Sequence, residues 1–121
     1  MRGALVNVPT KKKYMDDEPL DKELGGEWIN IEDPFARSLI ESYLKRRAKD
    51  VEELRLHLEE DEFDSIRIKG HNLYGSGSAY GLDWISAIGK SMEDAAENED
   101  TQAVADSIDA LESYLGKIRV L

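Results

Sequence analysis

A chain of 121 residues has room for one hydrophobic core, and 40% hydrophobic with 35% charged residues is ordinary for a globular domain. A formal charge of −10 and a pI near 4.6 repel polyanions, so nucleic acid is not an expected partner. The lack of cysteine removes disulfides, thiolate zinc sites and thiol nucleophiles. No apolar run is long enough to span a bilayer, and MRGALVNVPTKKK does not read as a secretory signal, so a cytoplasmic protein away from membranes is expected.

Residues 1 to about 30 mix glycine and proline with charges and hold no sustained period, so they read as an N-terminal extension to a domain over 31–121. Leu5, Val6, Val8, Leu20, Trp28 and Ile29 are the residues able to dock parts of it on the core. Lys11-Lys12-Lys13 reads as tail, and Lys45-Arg46-Arg47 as the solvated side of a helix.

Asp33-Pro34 signals a helix start, with an acidic N-cap and a proline at the first position, where its missing N–H costs nothing. Phe35, Leu39, Ile40, Tyr43, Leu44, Ala48, Val51, Leu54 and Leu58 recur mostly at three and four, predicting one amphipathic helix to about Glu60. His57, near its acidic end, reads as a surface residue. A second helix starting between Asp61 and Asp64 carries Phe63, Ile66, Gly70, Leu73, Gly77 and Tyr80 along a regular seam. A third, from about Asp83 as its cap to Asn98, turns Ile85, Ile88, Met92 and Ala95 or Ala96 inward. After a turn at Asn98-Glu99-Asp100, a fourth runs from Thr101 to about Val120 on Val104, Ile108, Leu111, Leu115 and Ile118. Four such helices with short connections predict an all-α, antiparallel four-helix bundle.

The second helix holds three interior glycines, 70, 75 and 77, before Gly81, which reads as its terminator. At about 0.8–1 kcal/mol each relative to alanine, they cost roughly 2.5–3 kcal/mol in helix propensity. Gly70 and Gly77 lie on the inward seam, where a missing side chain lets a neighbouring helix approach. Gly75 lies four residues after His71 on the same face, where it clears the approach to the imidazole. No Walker A pattern is present. Residues 67, 68, 74 and 75 are Arg, Ile, Tyr and Gly, so His71 has no metal-ligating neighbour on its face, and Ser76 and Ser78 form no nucleophile elbow with it.

The stretch His71-x-Leu73-x-Gly75-x-Gly77-x-x-Tyr80-Gly81 resembles the signature of histidine-containing phosphotransfer (HPt) domains, and the helix order is similar over residues 34–121. The resemblance implies a phosphocarrier in a multistep two-component phosphorelay, with His71 as phosphoacceptor, Gly75 as clearance, and Gly77, Tyr80 and Gly81 as scaffold. Its partners would be response-regulator receiver domains and a hybrid histidine kinase, with Mg²⁺ on the receiver and no cofactor on this chain. Members usually carry lysine three residues after the histidine, and here that residue is Tyr74. Arg67, one turn before His71, is the first substitute cation, with Lys69 and Lys90 behind it. Tyr74, Gly75, Ser78 and Lys90 are expected to border the docking surface. The alternative is a helical module that binds or inhibits a receiver without being phosphorylated.

Overall fold

The computed structural model describes residues 27–120, and the expectations for residues 1–26 lie outside them. A short strand, β1 (Glu27–Ile29), precedes four helices: α1 (Pro34–Glu59), α2 (Phe63–Ala79), α3 (Asp83–Glu97) and α4 (Thr101–Lys117). A second strand, β2 (Ile118–Val120), closes the order. Each helix packs on its neighbour in sequence and α1 closes the ring against α4, giving the all-α four-helix bundle. Leu54, Ile66, Ile85, Met92, Val104, Ile108 and Leu111 meet at its centre with no solvent exposure.

The helix starts differ in how they are capped. Asp33 Oδ1 accepts the Phe35 amide, with Pro34 next in line, and Asp100 Oδ1 accepts the Ala103 amide. At α3 the N-cap is Leu82, and Asp83 is the first helical residue. Asp83 therefore acts through its charge on the positive end of the helix and does not cap it, contrary to the sequence-based expectation.

Three helix ends share one solution. Leu82 N donates to Gly77 O and Gly81 N to Ser78 O, with Gly81 at φ 77°, which is the Schellman pattern. The same pair of bonds closes α1 through Asp61 at φ 56° and α3 through Glu99 at φ 50°. Each turn reverses the chain within three residues, which makes consecutive helices antiparallel.

Other expectations are corrected by the structure. The fourth helix stops at Lys117 instead of Val120, because Ile118 leaves the helical region (φ −76°, ψ 141°) to pair in parallel with Glu27 across the bundle. Ile29 packs against the core, as expected for a docking segment. Phe35 and Leu39 are 71% and 45% exposed, and Ala48 is exposed too, so the inward face of α1 is narrower than the periodicity suggests. Arg47 is not a solvated cation: it lies 4.5 Å over the Tyr43 ring and pairs with buried Asp50 at 2.6 Å.

Candidate functional site

The glycines decide how α2 and α3 meet. A Cβ at Gly70 would stand 2.7 Å from Glu93 N, one at Gly77 2.5 Å from Ser86 N, and one at Gly89 2.5 Å from Tyr74 N. Backbone rests on backbone along the whole seam, as the sequence predicted for Gly70 and Gly77. Gly89 and Ser86, the answering residues on α3, were not singled out in the sequence. Ser86 Oγ accepts from Ser78 N and donates to Tyr74 O, tying the two helices at the level where Gly77 admits it. On the opposite side of α2, Tyr43 Oη bonds Ser76 Oγ at 2.7 Å and its ring stacks on Tyr80 at 4.2 Å. α2 is thereby fixed from both flanks.

Between those flanks the outer face of α2 presents His71, its side chain 66% exposed. Its Nδ1 lies 3.2 Å from Oε2 of Glu93, which is itself only 15% exposed. An ionised carboxylate can only accept, so Nδ1 carries the proton and donates. The lone pair of the neutral ring then resides on Nε2, on the side of the imidazole away from Glu93. Glu93 was missed in the sequence, since 22 positions separate it from His71 and only the α2–α3 seam brings the two together.

At about 100° per residue, Gly75 lies roughly 40° round α2 from His71, and a Cβ there would meet no heavy atom within 4 Å. The ring therefore has open space beside it. Tyr74 and Ser78 fall on the α3 side of His71. Tyr74 is 47% exposed, with Lys90 Nζ 5.7 Å from its ring centroid, and Ser78 is tied to Ser86 Oγ. Arg67, also on that side, is engaged by Asp64, which accepts from both its Nε and its Nη2 at 3.1 and 2.9 Å. Lys69 is not brought to the histidine. It lies roughly 160° away round α2 and pairs with Asp50 at 3.0 Å under α1.

Hydrogen bonding to Asp64 and to Asp94 respectively raises the Arg67 and Lys90 pKa above their ordinary values, so both are cations throughout the neutral range. Open clefts of about 630 and 500 Å³ lie at the α1–α2 turn around Asp61 and Phe63 and between α3 and α4 around Trp84 and Tyr114. Neither includes His71.

The described residues thus form a four-helix bundle whose second helix carries an exposed histidine held at one ring nitrogen by a carboxylate of the third. The family model for the Hpt domain matches residues 38–120, from within α1 to the end of β2, and the chain belongs to that family. Phosphotransfer in phosphorelay signalling, with receiver domains and kinases as the proteins it works with, is what this family membership implies. No curated protein and no solved structure matches the chain.

Proposed function

We propose that the protein is a phosphocarrier of a multistep phosphorelay, taking a phosphoryl group from a receiver-domain aspartate onto Nε2 of His71 and passing it to another. The observation that carries this reading is the anchored ring: Nδ1 donates to Glu93 and Nε2 is left to solvent, with clear space over Gly75. In the transfer, the Nε2 lone pair forms the N–P bond while the bond between phosphorus and the aspartyl oxygen breaks, and the aspartate leaves with that electron pair. The imidazole gains positive charge and keeps its proton on Nδ1, where the Glu93 carboxylate stabilises it. Mg²⁺ held by the receiver would neutralise charge on the transferring oxygens, while this chain supplies position and the nucleophile. The nucleophile is the Nε2 lone pair itself, so no separate base is required.

Ile68 and Tyr74, 48% and 47% exposed, flank His71 on its two sides and would give a receiver apolar contact around the reacting nitrogen. No helix among the described residues is long and apolar enough to cross a membrane. We place the protein in the cytoplasm with its receivers and a hybrid kinase upstream. Incubation with a phosphorylated receiver and Mg²⁺ is expected to give alkali-stable, acid-labile label that His71→Gln eliminates. Stable receiver binding without label on His71 would instead favour a non-phosphorylated receiver-binding module, the reading that Tyr74 in the usual lysine position supports.

A further inference from the structure

Two contacts lie side by side across the α2–α3 seam. His71 Nδ1 meets Glu93 Oε2 at 3.2 Å, and Lys90 Nζ stands 5.7 Å from the centroid of the Tyr74 ring. His71 and Tyr74 are three residues apart on α2, as are Lys90 and Glu93 on α3, and that spacing sets Cβ atoms about 5–6 Å apart on a helix. The two pairs therefore stand next to each other across the seam, with Lys90 as the cation among the four. A phosphoryl group on Nε2 would bring two negative charges to a spot where Glu93 already contributes one, so a mobile cation nearby has a clear task.

The other cations on α2 are committed elsewhere. Arg67 is held through two nitrogens by Asp64, and Lys69 is paired with Asp50 under α1. Lys90 is bound more loosely. Its partner Asp94 is 3.4 Å away and both side chains are more than half exposed, so water screens the pair and the ammonium is free to leave it. In the same position the ammonium stands 5.7 Å from the Tyr74 ring centroid, within reach of a cation–π contact on the α2 side.

We infer that Lys90, carried on the face of Tyr74, supplies the positive charge for the phosphoryl group on His71, the task that lysine at position 74 would otherwise perform. This rests on the reading that His71 accepts phosphate. The roles are separable: Tyr74 is a platform that acts through its ring, and Lys90 is the group that meets phosphate oxygens.

The test uses the full chain, a phosphorylated receiver and Mg²⁺, and measures both the rate of label transfer and the equilibrium partition of label between receiver and His71. Lys90→Met is expected to lower each by about three- to tenfold, the range of a partly exposed charge contact, with an unchanged thermal melt. Arg67→Met, which removes a guanidinium held by Asp64, should lower them by less than Lys90→Met does. The double variant Lys90→Met with Tyr74→Lys should recover most of the loss. An unchanged rate and partition in Lys90→Met, or a loss that Tyr74→Lys does not restore, overturns the role of Lys90 and leaves the phosphocarrier reading intact. No label on the parent protein with any receiver overturns both.

Discussion

At Gly75, four residues after His71 on the same face of α2, helix propensity and the proposed approach to the ring make opposite demands on one side chain. A Cβ at Gly75 has open space around it, so Gly75→Ala should stabilise the protein by up to about 0.8–1 kcal/mol through helix propensity alone. The same methyl group would stand beside the reacting ring, and transfer from a phosphorylated receiver should fall. Gly116, whose Cβ position is equally open but lies in the last turn of α4, is the control. Gly116→Ala should gain stability in urea melts, by less because of its terminal position, and leave transfer as it was. If Gly75→Ala is more stable and transfers at the parental rate, Gly75 has no part in access.

Glu93 meets Nδ1 of His71 at 3.2 Å, and the proposed transfer gives it the task of holding that proton. Glu93→Gln retains an acceptor at the same reach and should keep the Nδ1–H tautomer of His71. Glu93→Ala should lose that preference, seen in the ¹⁵N shifts of the imidazole, with a transfer rate lower by about tenfold, the scale of about 1.4 kcal/mol in the barrier. Unaltered imidazole shifts in Glu93→Ala would show that the 3.2 Å contact does not hold the ring.

Among the elements, α2 and α3 are bound by a seam with no room to spare. Gly89→Ala would push a Cβ to 2.5 Å from Tyr74 N and 2.7 Å from Gly70 O, both backbone atoms that no rotamer change can move. A cost of about 2 kcal/mol or more is expected in chemical denaturation, in the upper range for overpacked sites. The Schellman turns give the opposite sign. Glu99 holds φ 50° without the tolerance that glycine has there, so Glu99→Gly should raise stability by up to about 1 kcal/mol, and Gly81→Ala, at φ 77°, should lower it by about 1 kcal/mol. Parental melts for both variants would remove the left-handed turns from the account.

These elements also mark what is legible in a sequence. The start of α1 is readable because Asp33-Pro34 is a local signal, and the seam of α2 because Phe63 to Tyr80 repeats at three and four. The placing of Gly70 and Gly77 on the packed face and of Gly75 on the open one is readable for the same reason, since helical period alone assigns faces. Glu93, Ser86 and Gly89 are invisible until α3 is docked, because their roles exist only against the backbone of α2. The parallel pairing of Ile118–Val120 with Glu27–Ile29 joins segments some 90 residues apart through strands too short to carry a period.

Across the whole molecule, the bundle provides rigidity on three sides of α2 and exposure on the fourth. α1 grips it through Tyr43, Ser76 and Tyr80, α3 through the glycine seam and Ser86, and the core through Ile66 and Leu73. What remains outward is His71, bonded at Nδ1 to the largely buried Glu93 carboxylate, with Ile68 and Tyr74 beside it. Such a surface suits a reaction in which the second reactant arrives on another protein, and it fits the Hpt family to which residues 38–120 belong. The most direct measurement is transfer itself: the full chain mixed with a labelled, phosphorylated receiver and Mg²⁺, with the label mapped by residue. Alkali-stable, acid-labile phosphate on His71, and none in His71→Gln, is the expected result. Label that persists in His71→Gln, or a parent protein that binds phosphorylated receivers and never acquires label, would contradict it.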